Sequence, residues 1–216
     1  MAHGRNRGDA MVSEIRLYLE GGGDGSESKA AIRQGFGQFL DPLRQLARAR
    51  RIRWQVVACG GRNAAFDMFK TALGIHRGAF NILLVDAEGP VSQTPWTHLL
   101  TRDGWARPTA GDEQCHLMVQ CVEAWLVADR ETLREFYGQG FNEHALPANI
   151  NVEAVDRRDL ESGLARATKD TSKGRYHKIH HCSLLLAQLK TTIVRSKATY
   201  CDRLFTTLAS HMGASI

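Results

Sequence analysis

The sequence predicts an α/β fold built on a parallel, right-handed βαβαβ unit, and three observations carry that expectation. The first is an apolar run, Ile82-Leu83-Leu84-Val85, that stops at Asp86 and Glu88 before Gly89 and Pro90. Four consecutive aliphatic residues bounded by turn formers describe a strand buried on both faces, as in the interior of a parallel sheet. The second is an alternating run, Ile15-Arg16-Leu17-Tyr18-Leu19-Glu20, that breaks at Gly21-Gly22-Gly23-Asp24-Gly25. The third is the chain between these runs, which reads in turn as helix, strand and helix.

Taken in order, residues 1–11 lack periodicity and read as a disordered leader. Strand one covers 15–20. Ser26-Glu27-Ser28 leads into a helical pattern over 28–50, in which Ile32, Phe36, Phe39, Leu40, Leu43, Leu46 and Ala47 recur at spacings of three and four. Pro42 marks a break or kink in it. Strand two, 52–58, is closed by Gly60-Gly61, and Asn63 reads as the cap of a helix that Gly74 ends. After the Asp86 strand, residues 89–109 read as a loop-rich connection carrying Trp96 and Trp105. Strand four spans 116–120 and passes into a helix over 121–129. Residues 146–151, with Pro147, form a connector, followed by helical patterns at 158–169, 181–189 and 200–209. The division this implies is an α/β core over 12–145 and a helical C-terminal extension over 146–216 packed on it.

At 216 residues the chain can bury a core of ordinary size. No apolar stretch reaches the ~20 residues of a membrane span, and the N-terminus lacks a signal peptide's apolar segment. These features predict a cytoplasmic protein with no membrane attachment. Five cysteines, odd in number and without a CxxC, predict packed, reduced thiols in place of a zinc site or disulfide framework. The net charge of +5 is unevenly spread: residues 157–203 hold eleven Lys/Arg against four Asp/Glu, and 33–53 hold six against one. Such clustering favours a polyanionic partner, nucleic acid first, although solvated helix faces would also account for either cluster alone.

The chemistry concentrates at strand ends. In open parallel sheets the carboxyl ends share one rim, where ligands bind. Glu20, the pair Asp86 and Glu88, and Glu123 at the start of the helix after strand four are all placed there. Side chains two apart on a strand share a face, so Asp86 and Glu88 point to one spot and their repulsion calls for a compensating cation. A hard divalent ion, Mg²⁺ or Mn²⁺, suits such oxygen donors and would assist phosphoryl chemistry. The bland alternative is that each acid caps a helix or solvates a loop.

Other motifs are weaker. The glycine loop satisfies neither GxxxxGK[ST] nor GxGxxG, and strand two ends at Cys59 where a dinucleotide fold would place an acid. His177 and His181 stand four apart, but no HExxH or third ligand accompanies them. There is no GxSxG, and Cys59 is an isolated thiol. The segment Lys173-Gly174-Arg175-Tyr176-His177-Lys178 is better read as a basic loop for phosphate contact, in which a lysine could neutralise transition-state charge.

Leu17-Tyr18-Leu19-Glu20-Gly21-Gly22 together with Leu83-Leu84-Val85-Asp86-Ala87-Glu88-Gly89 resembles the TOPRIM domain of topoisomerases, DnaG-type primases and OLD-family nucleases. From Val12 onward the chain is similar to a bacterial family of small TOPRIM-like proteins of unassigned function. Residues 116–129, 164–169, 173–178 and 201–205 carry that closer resemblance. It implies a Rossmann-like parallel sheet with helices on both faces, a Mg²⁺ site and phosphodiester cleavage. Glu20 is then general base, general acid or metal ligand, Asp86 and Glu88 are metal ligands, and Glu123 is a further site residue. Glu88 stands where the second aspartate is more common. The expected function is a Mg²⁺-dependent nuclease, with Lys173, Arg175 and Lys178 holding nucleic acid and with bacterial antiviral defence alongside an ATPase partner as its setting. Two alternatives are a non-catalytic subunit that binds metal, nucleotide or protein through the same rim, and a small-molecule phosphate hydrolase.

Overall fold

The computed structural model describes residues 12–215. The leader expected at 1–11 lies outside the described residues. Four strands, β1 (Glu14–Glu20), β2 (Arg53–Gly60), β3 (Phe80–Asp86) and β4 (Cys115–Met118), form one sheet in the order β2-β1-β3-β4. Every pairing is parallel. The architecture is α/β on a four-stranded parallel sheet, as the strand and helix patterns predict, and it is consistent with the Rossmann-like sheet that the resemblance implies.

Alternation along the strands sorts two cores onto opposite faces of the sheet. Ile15, Leu17 and Leu19 of β1 and Ile82 and Leu84 of β3 belong to the larger one. Tyr18 of β1, Leu83 and Val85 of β3, and Cys115 and Leu117 of β4 belong to the smaller. All seven residues of β3 are buried, so its run of aliphatics without polar alternation is explained by helices on both sides. The smaller face is covered by α3 (Arg62–Ile75) and α4 (Pro95–Asp103) through Phe66, Phe69, Trp96 and Leu99. The larger is covered by α1 (Ser26–Phe39), α2 (Asp41–Ala49), α5 (Val122–Ala128), α6 (Arg130–Tyr137), α7 (Arg157–Thr168), α8 (Lys178–Leu186), α9 (Thr191–Lys197) and α10 (Thr199–His211). Its centre is Trp125, stacked on Phe39 at 5.3 Å and edge-on to Phe36 at 6.3 Å, with Phe205 of α10 closing on Phe39 at 5.7 Å. The helices beyond residue 146 therefore share one continuous core with the sheet.

Several boundaries differ from the sequence expectation. The helix expected over 28–50 is two helices, separated at Leu40, with Pro42 in the first turn of the second, where its missing N–H costs nothing. The connection expected to be loop-rich contains α4, capped by Thr94 and stopped by Gly104 in the left-handed conformation. Gly61, not Asn63, is the N-cap of α3, which runs past Gly74 to Ile75. Strand four ends at Met118, two residues early, because the chain turns there toward α5. The helices α6 and α9 were not expected. Asp129 caps α6 with bonds from Thr132 N at 3.3 Å and Thr132 Oγ1 at 2.8 Å, and also accepts from Lys190 N at 2.8 Å just ahead of α9. All five cysteines are free and buried.

Arg203 of α10 fastens the C-terminal helix to the sheet edge, donating to Cys115 O at 2.9 Å and Asp112 O at 2.6 Å and approaching His116 Nδ1 at 3.2 Å. His116 is fully buried, and burial together with the Arg203 charge pushes its imidazole down to about 3. It is thus neutral in the fold and protonates on unfolding below its ordinary value near 6.5. The unfolded chain binds more protons in that window, so stability falls as pH falls. Acidification from about pH 7 to about pH 5 is expected to cost roughly 2 kcal/mol from this residue alone. His116→Phe should flatten that segment of a urea-unfolding pH series, and an unchanged slope would assign the acid sensitivity elsewhere.

Candidate active site

The order β2-β1-β3-β4 places the topological switch between β1 and β3, since the chain leaves β1 toward one side and returns to its other side. In open α/β sheets this is where a crevice opens at the carboxyl ends of the strands. Glu20 ends β1 and Asp86 ends β3, so adjacent strands deliver both acids to that crevice. Immediately after Glu20 the chain turns through Gly21, Gly22 and Gly23, all with positive φ. Gly21 and Gly60 then exchange backbone bonds of 2.8 and 3.2 Å. A side chain at Gly60 would place its Cβ 2.5 Å from the Gly23 carbonyl, so this close approach requires glycine.

Glu20, Asp86 and Glu88 each offer a carboxylate oxygen, and these atoms lie within 4.8 Å of one another. Glu88 reaches the cluster by a different route from the one its spacing suggests. The strand ends at Asp86, and Glu88 occupies a left-handed turn at φ 63°, with its N–H donated to Gln120 O at 2.6 Å. Turn geometry, not strand alternation, places it. The span across an octahedral Mg²⁺ shell is roughly 4 Å, so small side-chain rotations would let these three hard oxygen donors share one divalent cation. The donor set fits such an ion.

Asp86 is nearly buried. Its Oδ1 accepts from Val122 N at 2.8 Å, at the start of α5, and its Oδ2 accepts from Lys178 Nζ at 3.1 Å. The same ammonium donates to Glu123 Oε2 at 3.2 Å, and Tyr176 O–H donates to Glu123 Oε1 at 3.0 Å. Glu123 is fully buried in the first turn of α5, where the helix dipole favours its charge. Lys178, at the first position of α8, is thus the cation that lets two buried carboxylates coexist. Burial opposes its charge, but Asp86 and Glu123 outweigh burial and raise its pKa.

Glu20 is shifted upward, first by burial and then by repulsion from Asp86. Arg62, the Asp86 N–H at 3.1 Å and Lys178 act in the opposite sense without cancelling the shift. Arg62 begins α3. It donates to Glu20 Oε2 at 3.1 Å and to the Asp86 carbonyl, and it grips Asp103 at 2.9 and 2.7 Å. Glu88 pairs with Arg157 and lies 3.7 Å from Arg102.

The structure therefore brings together Glu20, Asp86 and Glu88, and joins Glu123 to them through Lys178. It does not place Lys173 and Arg175 with Lys178. Lys173 lies over the Phe136 ring at 5.2 Å and Arg175 is exposed, whereas Lys178 reaches inward to the acids. His177 N donates to His181 Nδ1 at 3.1 Å, and His181 Nδ1 also lies 3.1 Å from the Tyr137 hydroxyl of α6, away from the acidic rim. Among the described residues the acidic trio is the cluster with metal-ligating geometry. Sequence reasoning missed Arg62, although its place directly after Gly60-Gly61 at the end of β2 puts it on the same rim. It also missed Arg102 and Asp103, because the helix carrying them was read as loop.

The fold and site together define an α/β protein with an acidic centre at the switch point of a parallel sheet. The chain matches the family described as Domain of unknown function (DUF4276) over residues 19–209, and it belongs to that family. No curated protein and no solved structure matches it.

Proposed function

We propose that this protein is a TOPRIM-like, Mg²⁺-dependent nuclease or related phosphodiester-processing enzyme. The observation that carries the reading is the convergence of Glu20, Asp86 and Glu88 within 4.8 Å at the sheet's switch point. These three would hold the cation, Mg²⁺ or Mn²⁺, which when bound polarises a phosphodiester and supplies an activated water. Glu20, whose carboxyl burial and the neighbouring Asp86 shift upward, is the member of the trio suited to proton transfer. Lys178 presents a positive charge at the point where negative charge develops on a transferring phosphoryl group. Arg62 fixes the Glu20 carboxylate and so keeps it on the reacting side of the rim. The nuclease role in antiviral defence with an ATPase partner rests on the resemblance of the strand-end motifs.

Nucleic acid is the favoured substrate because the exposed Lys173 and Arg175 lie on the segment that leads into Lys178. Lys173→Ala and Arg175→Ala are expected to weaken binding of DNA or RNA about equally across sequences and to reduce the salt slope by about one for each cation removed. An unchanged slope would remove the segment from the interface. The enzymatic reading is tested by metal-dependent cleavage of mixed DNA and RNA.

A non-catalytic reading is favoured by one specific observation: Arg62, Arg102, Arg157 and Lys178 already pair with the rim carboxylates. A centre balanced in this way can serve as a binding surface. Nucleic-acid binding that survives Asp86→Ala, without cleavage in any metal, would select that reading.

A further inference from the structure

A cavity of about 240 Å³ opens beside the carboxylates, and metal chemistry alone does not account for its walls. Glu20, Asp86 and Lys178 form its polar end, while Ile32, Phe36, Met118 and Ile179 supply apolar surface and the Gly21–Gly23 loop forms a rim. We infer that this cavity takes the unpaired nucleobase of a nucleotide whose phosphate lies at the acidic rim. The inference rests on the nuclease reading and names its substrate class: single-stranded or frayed nucleic acid, not intact duplex.

Four features lead to that occupant. The volume falls below the roughly 300–1,000 Å³ of pockets for drug-sized ligands, so it suits one flat heterocycle and excludes a base pair. Apolar walls beside glycine backbone match what an extruded base requires, faces that pack and an edge that hydrogen-bonds. Glu20 and Asp86 belong both to the metal-ligating trio and to the cavity wall, so its occupant is adjacent to any phosphate held at that trio. Finally, Ile179 is 58% exposed at the cavity, directly after Lys178. The fold gives no reason for a branched apolar side chain to stand in water beside an ionic centre; a base seated against it would cover it.

The glycine rim explains why the cavity stays open. A Cβ at Gly22 would meet the Lys29 backbone at 2.8 Å, and one at Gly60 would meet the Gly23 carbonyl at 2.5 Å. Side chains at these positions would displace the loop that forms the rim.

The test compares AMP with ribose 5-phosphate, which carries the same phosphate and sugar without the base, by calorimetry on the full chain in Ca²⁺. AMP is expected to bind about tenfold more tightly or better, the gain typical of packing one base on a protein surface. Ile179→Asn, at an exposed position, should erase most of that difference while leaving ribose 5-phosphate affinity unchanged. Equal affinities for the two ligands in the wild type, or binding of neither, would overturn the inference. So would an AMP preference untouched by Ile179→Asn. Metal binding is measured separately without nucleotide, so a protein that binds Ca²⁺ but shows no base preference contradicts the cavity assignment alone. One that fails to bind Ca²⁺ contradicts the metal reading.

Discussion

Asp86→Asn is expected to abolish the protein's thermal response to divalent metal and to lower any metal-dependent cleavage by about 10³-fold, the scale of losing several kcal/mol of charge stabilisation. The substitution keeps an oxygen for the Val122 N–H, which Asp86 Oδ1 now accepts at 2.8 Å, so the start of α5 stays anchored. What it removes is the charge that faces Lys178 and the carboxylates of Glu20 and Glu88. In the wild type, metal at about a hundred times its Kd should stabilise by ~2.7 kcal/mol. For a chain of this length that is a rise in Tm of roughly 5–10 °C, reversed by EDTA.

The metal effect carries a pH signature. The folded pKa of Glu20 is raised, so between the ordinary carboxylate value and that raised value the folded protein binds more protons than the unfolded chain. The Glu20 contribution to metal-free stability therefore falls as pH rises through this window. Metal binding needs the deprotonated carboxylate, so the metal-induced gain moves oppositely and fades as pH drops toward the raised value. Differential scanning fluorimetry across pH, with and without Mn²⁺, reads both trends. A gain that persists in Asp86→Asn would place the ion elsewhere.

Lys178→Met should damage stability and chemistry separately. Breaking a buried ion pair leaves an uncompensated charge and costs ~3–5 kcal/mol when both partners are buried. The Lys178 side chain is 44% exposed, so solvent screening reduces the expected loss to about 2 kcal/mol. Glu123, fully buried, would keep the Tyr176 hydroxyl but lose its ammonium partner. Adding Glu123→Gln removes one of the two stranded charges, Asp86 keeping the Val122 N–H, so Lys178→Met/Glu123→Gln should recover about half of the lost stability in urea. Cleavage should not recover, remaining about 10²–10³-fold down, because the Lys178 ammonium would no longer face the phosphoryl group of the proposed reaction. Recovery of both properties in the double variant would make Lys178 a structural counter-ion only.

The sheet and its acids were legible in the sequence for a definite physical reason. A strand covered on both faces carries an unbroken apolar run through its middle, and the charged residues that close the run mark its end, which is how 82–88 reveal β3, Asp86 and Glu88. Glu20 followed from the same argument once glycine stopped the alternation. The shorter helices were less legible. In α4 the Thr94-Pro95 start and Gly104 stop were present, but proline and glycine also signal loops, and the helix between them is only nine residues long. Bonds made across the fold were not legible at all. Those from Arg62 to Glu20 and Asp103 span 42 and 41 residues, and those from Lys178 to Asp86 and Glu123 span 92 and 55. Periodicity places a residue on a face; it does not say which distant side chain shares that face. The left-handed turn at Glu88 was hidden for a related reason, since glutamate rarely adopts positive φ and no local signal announces it.

The most direct test of the acidic rim as a catalytic metal centre is cleavage of mixed DNA and RNA in EDTA, Mg²⁺ or Mn²⁺, comparing the wild type with Asp86→Ala/Glu88→Ala matched for folding by circular dichroism. The account predicts cleavage by the wild type in Mg²⁺ or Mn²⁺, none in EDTA, and none by the double variant. Cleavage that persists in EDTA or in the folded double variant, or its absence from the wild type in every metal, would contradict it.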